Sequence, residues 1–333
     1  MNGRMIRRVS AAKRVVTYVA LAMLLAACAE PLVEPRPPRA PTAVIDRYNA
    51  IVATAEAGDD LLARARAYYE RGNIWFDQQN YTAAIADYDR ALALDPSLSR
   101  AVHNRGLAYA LLGDDTAALR DYAEAIRLDP AYRRAYENRV RLLERLVVEK
   151  PDETRLQQLA DDYGKLAELI PDAAATYRYQ QGLTLMRLGD RAAAREAFDA
   201  ALRAQPQHVD ALYERALILY ADGDLNAALA DLDAALRLSP RAANAYYVRG
   251  LIRYAQGDIR SAIADFGQAL VLRPEYPEAL IARAAAYAAQ GNTAAARADL
   301  QRLDGLTLDP TLQQAREALR IQTGSPRPTT GGN

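Results

Sequence analysis

Cysteine is almost absent from this sequence, since Cys28 is the only one among 333 residues. An internal disulfide is therefore excluded, and there is no cysteine pair to hold a structural zinc ion. Histidine is nearly as scarce, because only His103 and His208 are present. These residues are too few to build a His/Cys metal cluster, so we expect neither a metal ion nor a cofactor.

Net charge is also lacking, because 42 basic residues balance 42 acidic ones. Such a chain has no long-range field that would attract nucleic acid, and no stretch combines a basic run with interleaved aromatic residues. The G-x-S-x-G, P-loop and dinucleotide-binding motifs are missing as well. We therefore expect no nucleic-acid partner and no enzymatic activity.

Long hydrophobic runs are missing too. The apolar run from Val15 to Ala27 has 13 residues, fewer than the roughly 20 that cross a bilayer as a helix. It follows a short segment that contains Arg4, Arg7 and Arg8, and it ends in small residues. A basic segment, an apolar run and small residues, in that order, are typical of a secretory signal peptide. We predict one over residues 1–27.

The single cysteine closes this run in the sequence Leu25-Ala26-Ala27-Cys28. These four residues resemble the lipobox of bacterial lipoproteins, and the resemblance implies a covalent lipid on Cys28 that anchors the mature chain. Because alanine and not aspartate follows the cysteine, the resemblance implies the outer membrane, with the protein body in the periplasm. Residues 28–41 are rich in proline, which predicts an extended tether.

A group of five residue types recurs every 34 residues along most of the remaining chain. One copy consists of Gly106, Ala118, Tyr122, Ala125 and Pro130. Small residues allow two antiparallel helices to approach closely, the aromatic ring fills the space between them, and proline follows the second helix. Further copies begin at Gly72, Gly182, Ala216, Gly250 and, more weakly, Ala284.

This unit resembles the tetratricopeptide repeat, a 34-residue helix-turn-helix motif. The resemblance covers most of residues 60–306 and implies an all-α fold. The expected architecture is a right-handed superhelical solenoid of antiparallel helix pairs, with about six regular or near-regular repeats and one longer hairpin. A single pair cannot bury its apolar face alone, so the repeats stabilise one another by stacking.

The period also gives the predicted domain boundaries. We expect the solenoid over residues 42–306, starting with a leading helix over 42–57. A capping helix is predicted over 307–322, most strongly over 310–322, and a disordered tail over 323–333.

One unit, at about residues 131–171, departs from the period. Val140 replaces the small residue there, and residues 147–153 (VVEKPDE) are expected to separate its two helices. Three interpretations stay open: a tolerated insertion, a kink in the superhelix, or a contact in a homodimer.

An arginine precedes the small residue of the first helix in five repeats, and an aspartate follows it 16 residues later. Where Gln181 replaces the arginine, Ala197 replaces the aspartate. This covariation predicts an ion pair between the two helices of each hairpin, with a structural role. The predicted pairs are Arg71–Asp87, Arg105–Asp121, Arg215–Asp231, Arg249–Asp265 and Arg283–Asp299.

The family resemblance places partner binding on the concave surface, which positions two, five, nine and twelve of each first helix form. Position two is basic in the early repeats (Arg66, Arg100 and Arg134) and acidic or polar in the later ones. We therefore expect a groove that is basic at one end and acidic at the other. Tyrosines at positions five and twelve suit peptide recognition, although such rings also pack between repeats. The predicted partner-contacting tyrosines are Tyr179, Tyr213, Tyr220, Tyr247 and Tyr254.

Asn73, Asn104 and Arg134 resemble part of the clamp with which some repeats of this family hold a C-terminal carboxylate. The match is incomplete, because Tyr69 and Asn138 stand where the clamp has lysine and arginine.

These observations predict a lipid-anchored periplasmic adaptor that binds protein partners. Lipoproteins with this repeat include adaptors for peptidoglycan enzymes and pilotin-like factors that assemble a type IV or Tad-type pilus or secretion pore. A direct peptidoglycan-binding module is a third alternative, and the sequence does not choose among the three.

Overall fold

A computed structural model describes residues 42–324. The predicted signal peptide, the lipidation site at Cys28, the tether to residue 41 and residues 325–333 of the predicted tail lie outside the described residues. The described chain divides into two compact units, residues 42–194 and residues 195–324. We refer to them as the N-terminal and the C-terminal unit.

The part of the chain that the structure describes is helical and contains no strand, so the predicted all-α fold class is confirmed. The helices of the N-terminal unit are α1 (Thr42–Glu56), α2 (Leu61–Asp77), α3 (Tyr81–Leu94), α4 (Ser99–Leu112), α5 (Asp115–Leu128), α6 (Arg133–Glu149), α7 (Glu153–Leu169) and α8 (Ala174–Leu188). A short 3₁₀ helix, Pro171–Ala173, precedes α8.

The division between the units falls within α9 (Arg191–Ala204). The C-terminal unit continues with α10 (Val209–Asp222), α11 (Leu225–Leu238), α12 (Ala243–Ala255), α13 (Ile259–Leu272), α14 (Pro277–Ala289), α15 (Thr293–Arg302) and α16 (Pro310–Thr323).

Turns between paired helices are specified by two adjacent residues, as in α4 and α5. Gly113 ends α4 in the left-handed conformation, with φ of 84°, which glycine adopts without strain. The next residue, Asp114, accepts a hydrogen bond from the amide of Ala117 and so caps α5. The first hairpin departs from this rule, because the non-glycine residue Gln79 has φ of 62°.

Small residues let the paired helices pack against an aromatic ring. A Cβ atom at Gly72 would lie 2.7 Å from the ring of Tyr88, and one at Gly250 would lie 2.6 Å from the ring of Phe266. Both rings are fully buried. The recurring glycine is therefore a steric requirement of helix contact in these hairpins.

Two predicted boundaries are corrected by the structure. The linker in the longer hairpin spans only residues 150–152, because α6 continues to Glu149 and α7 begins at Glu153. The apolar residues Val147 and Leu146 are buried, and α6 is three residues, or almost one turn, longer than the 14-residue helix α4. At the other end, Thr323 belongs to α16 and is buried, so the predicted tail began one residue too early.

None of the helices formed by residues 42–324 is long and apolar enough to cross a membrane. Within the same residues, no three metal-ligating side chains come together.

Candidate functional site

Every predicted Arg–Asp pair is in contact in the structure. In the hairpin of α4 and α5, Arg105 donates from Nε and Nη2 to the two carboxylate oxygens of Asp121, at 2.7 and 2.8 Å. The carboxylate of Asp121 is 2% exposed, and its hydrogen bonds raise the pKa of Arg105 further above its ordinary value. The same two-bond geometry occurs in Arg71–Asp87, Arg215–Asp231, Arg249–Asp265 and Arg283–Asp299.

Three of these arginines also reach an acid in the preceding repeat, which sequence inspection did not predict. Arg105 donates from Nη1 to Asp89 at 2.7 Å, and Asp89 lies 16 residues earlier in the chain. Arg215 and Arg249 make the equivalent bonds to Asp199 and Asp233, each at 2.7 Å. These arginines therefore connect adjacent hairpins, and their guanidinium groups are hydrogen-bonded to aspartates of the fold.

A sixth pair, Arg139–Asp162, was also missed because its spacing differs. Arg139 occupies the repeat position of Arg105, but its partner lies 23 residues later, with bonds of 2.8 and 2.6 Å. The spacing of 23 residues exceeds the regular 16 by seven, which corresponds to about two helical turns. The arginine and the aspartate therefore still face each other.

The asparagines of the suggested carboxylate clamp bind one another. Asn104 donates from Nδ2 to Oδ1 of Asn73 at 2.9 Å, and the Tyr88 hydroxyl donates to the same oxygen. Oδ1 of Asn104 lies 3.0 Å from Nδ1 of His103. The resemblance to the clamp is weakened accordingly, since Asn104 is committed to neighbouring side chains on both its polar atoms.

His103 continues this polar layer into the next repeat. It is 4% exposed, and its Nε2 lies 2.8 Å from Nδ2 of Asn138. The Tyr132 hydroxyl lies 3.2 Å from Nδ1, and the two rings are 4.9 Å apart. Burial lowers the pKa of His103, with a smaller contribution in the same direction from the Arg134 charge, so a neutral imidazole is favoured.

Two exposed arginines lie close to Tyr132. Burial raises the pKa of the Tyr132 hydroxyl, and the charges of Arg134 and Arg100 oppose this increase. Neither arginine forms an ion pair or a side-chain hydrogen bond with the described residues. The third predicted basic residue, Arg66, differs, because its Nε binds Glu70 at 2.9 Å.

Local helix stability does not explain the position of these two arginines. Arg100 is the second residue of α4, and Arg134 is the second residue of α6. The first turn of a helix carries a partial positive charge, so a cation there is unfavourable by a few tenths of a kcal/mol to about 1 kcal/mol. The arrangement suits an anionic ligand. We call Arg100, His103, Tyr132 and Arg134 the basic face of the N-terminal unit.

The predicted tyrosines differ widely in exposure, which corrects the expectation of five rings open to a partner. Tyr179 is 8% exposed. Tyr213 and Tyr247 pack against the apolar core of the C-terminal unit, and Tyr220 is partly buried there. Only Tyr254, at 37%, is an exposed ring. Tyr179, Tyr213 and Tyr247 occupy position five, where first helices of successive repeats meet. Packing between repeats therefore covers these three rings more than that of Tyr254.

Acidic side chains surround these tyrosines in the C-terminal unit. Asp210 and Glu278 belong to the first turns of α10 and α14, and Glu214 lies one turn after Asp210. Burial, together with the charge of Asp210, raises the pKa of Glu214 to about 7. The expected change of sign between early and late repeats is therefore present in the two units considered separately.

Family profiles match slightly more than half of the chain. Two profiles described as "Tetratricopeptide repeat" match residues 179–243 and 219–259 and residues 99–132. A third, described as "TPR repeat", matches residues 72–113 and 250–291. No curated protein matches the chain.

Solved structures with a similar fold share little sequence. The C-terminal part of a TPR repeat-containing protein from Cytophaga hutchinsonii is 15% identical, with a TM-score of 0.51, covering 74% of this chain and 98% of that one. MamA from Desulfovibrio magneticus RS-1 is 20% identical, with a TM-score of 0.45 and coverage of 56% and 96%. PilW, described as a type IV pilus biogenesis factor, is 20% identical, with a TM-score of 0.45 and coverage of 65% and 97%.

Proposed function

Because the chain belongs to the tetratricopeptide repeat family, we propose that it is a non-catalytic scaffold that binds protein partners and is anchored through a lipid on Cys28. The observation that carries the binding role is the basic face of the N-terminal unit. It holds two exposed guanidinium groups at helix starts, where they do not stabilise the helices themselves and form no ion pair with any of residues 42–324.

The partner chemistry that fits this face is an acidic protein segment. Each carboxylate could accept two parallel hydrogen bonds from a guanidinium, which gives direction as well as attraction. The partly buried Tyr132 ring supplies an apolar surface beside the two cations. Asn73 and Asn138 belong to the same polar layer, through their contacts with Asn104 and His103.

A pair of peptides tests the proposal with the full chain. The probes are fluorescein-labelled 12-residue peptides, (Ala-Leu-Glu)₄ and (Ala-Leu-Arg)₄, measured by fluorescence anisotropy at low and high salt. Replacing both cations, in the variant Arg100→Glu/Arg134→Glu, is expected to weaken binding of the glutamate peptide at least tenfold. Added salt is expected to weaken it in the wild type as well.

The matched control is Arg120→Glu/Arg203→Glu, which changes the net charge equally. Both residues are exposed arginines on second helices and have no acidic partner among the described residues. Equal loss of binding in both variants would show that net charge alone attracts the peptide, and the basic face would then have no binding role.

The anchor is tested separately. Replacing Cys28 by serine is expected to abolish incorporation of labelled palmitate and to move the protein from the outer-membrane fraction to the soluble periplasmic fraction. Unchanged labelling in the Cys28→Ser variant would refute lipidation at this residue. The narrower roles, in peptidoglycan enzyme recruitment, in pilus assembly or in direct peptidoglycan binding, stay predictions that partner capture from envelopes must separate.

A further inference from the structure

A second face, in the C-terminal unit, has the opposite charge. Asp210, Glu214 and Glu278 are three carboxyl groups that form no ion pair and no side-chain hydrogen bond with the described residues. Asp210 and Glu214 lie on the same side of α10, since residues four apart on a helix are neighbours. Burial raises the pKa of the Tyr247 hydroxyl, and the nearby charge of Glu278 adds to this increase.

Tyrosine rings form the floor beside these carboxyl groups. Tyr247 lies 5.1 Å from Tyr276 and 6.1 Å from Phe266, measured between ring centroids. The Tyr276 hydroxyl donates to Oδ1 of Asn244 at 3.2 Å. By contrast, the hydroxyl groups of Tyr213 and Tyr247 have no hydrogen-bond partner among residues 42–324, and both rings are partly buried.

Helix stability explains only part of the acidic pattern. Asp210 and Glu278 are in first turns, where a carboxylate interacts favourably with the helix dipole. Glu214 lies in the second turn of α10 and is partly buried, so this explanation does not apply to it. It also follows Asp210 by four residues, a like-charge spacing that destabilises a helix. A cation from a partner would offset both the burial of the Glu214 carboxylate and its repulsion by Asp210.

One guanidinium group of this unit, that of Arg273, already packs beside these tyrosine rings. The Arg273 guanidinium carbon lies 4.4 Å from the Tyr276 ring centroid, and Nη2 donates to Asn244 at 3.2 Å. Arg273 forms no ion pair with a carboxylate of the described chain. A single cation does not balance three carboxyl groups, so the face keeps an excess of negative charge that further cations would compensate.

We propose that this face, formed by Asp210, Tyr213, Glu214, Tyr247 and Glu278, binds an arginine- or lysine-containing segment of a partner protein. Charge complementarity identifies the occupant: cationic side chains bind the carboxyl groups, their stems lie over the tyrosine rings, and donors from the segment reach the two unpartnered hydroxyls. The proposal goes beyond the proposed function, because it concerns the other unit and a ligand of opposite charge.

The experiment uses the full chain and the two 12-residue peptides described above, with (Ala-Leu-Ser)₄ as an uncharged third probe. The test variant is Glu214→Gln/Glu278→Gln, and the matched control is Glu196→Gln/Asp222→Asn. The control residues are exposed acids elsewhere in the same unit, without a partner among the described residues. Anisotropy gives the affinities, and thermal unfolding of each variant is measured in parallel.

We expect the wild type to bind the arginine peptide at least tenfold more tightly than the serine peptide. The test variant should lose at least tenfold for the arginine peptide while the control keeps its affinity. The single change Glu214→Gln should weaken binding and raise the melting temperature, because it removes a carboxyl group whose charged form has no cationic partner among the described residues.

Three results would overturn the proposal: equal affinity of the test variant and the wild type, equal loss in the control, or a preference for the glutamate peptide after the basic face has been removed. The outcome is independent of the proposed function, since Arg100→Glu/Arg134→Glu should leave arginine-peptide binding intact.

Discussion

Arg139 donates two hydrogen bonds to Asp162, at 2.8 and 2.6 Å, across the hairpin whose sequence departs from the 34-residue period. The arginine side chain is 10% exposed and the aspartate 2%. The pair joins α6 to α7 as the other pairs join their helices. The longer hairpin therefore keeps the internal contact of a regular repeat, as expected for a tolerated insertion.

Removing Arg139 should destabilise the protein strongly. In Arg139→Ala the buried Asp162 carboxylate would lose its partner, and breaking a buried pair typically costs about 3–5 kcal/mol. Urea unfolding followed by circular dichroism gives the change. The control is Arg127→Ala, which removes an exposed pair with Glu124 and should leave the midpoint unchanged. Similar midpoints for the two variants would show that the pair is not a stabilising contact.

Two glycines of the C-terminal unit should respond in opposite ways to alanine. Gly250→Ala places a Cβ 2.6 Å from Phe266, and the overpacking is expected to destabilise by about 1–3 kcal/mol. Gly267→Ala meets only Nη1 of Arg283, at 3.6 Å, and should stabilise α13 by about 0.5–1 kcal/mol. Urea midpoints measure both. Adding Phe266→Leu to Gly250→Ala should restore part of the loss, and no recovery would argue against the proposed clash.

Gln79 is a site where stability can be gained. Its φ of 62° lies in the left-handed region, and five later hairpins have glycine at the equivalent position. A residue with a side chain pays about 1–2 kcal/mol to adopt this conformation. Gln79→Gly should stabilise by roughly 0.5–1 kcal/mol, because greater freedom of glycine in the unfolded chain offsets part of the relief. Chemical denaturation measures the change. The reverse exchange, Gly113→Gln, should destabilise, and a neutral result for both would mean that this turn is unstrained.

His103 should make stability depend on pH. Burial lowers its pKa in the folded state, so the unfolded chain, with a histidine pKa near about 6.5, takes up the proton first as pH falls. Stability is thus present above about pH 6.5 and is lost below it, by at most about 1.4 kcal/mol for each pH unit, until the folded pKa is reached.

The measurement is urea unfolding at pH 7.5 and pH 5.5, compared between the wild type and His103→Gln. The variant should lose less stability on acidification, since glutamine does not titrate. The companion variant His208→Asn, which leaves His103 in place, should still lose stability on acidification. An unchanged pH dependence in His103→Gln would show that this imidazole is not the titrating group.

Several features follow from the sequence alone because they depend on local spacing. A 34-residue period, small residues at helix contacts and a proline after the second helix predict the all-α repeat fold, since each acts within one hairpin. The covariation of Arg and Asp, with its exception at Gln181 and Ala197, identifies five pairs for the same reason. Signal peptide, lipidation and anchoring are also sequence predictions, and they concern residues outside the described part of the chain.

Other features depend on how successive hairpins pack, which no single period encodes. Tyr179 occupies the same repeat position as Tyr213, yet its exposure depends on the neighbours that cover it. The second bond of Arg105, to Asp89, joins two repeats, and Arg139 reaches Asp162 only because the inserted residues complete two helical turns. The sequence determined the fold and the charges of its faces through local spacing. Tertiary packing decided which charged groups are neutralised inside the fold and which, such as Arg100, Arg134 and Glu214, have no ion pair among the described residues.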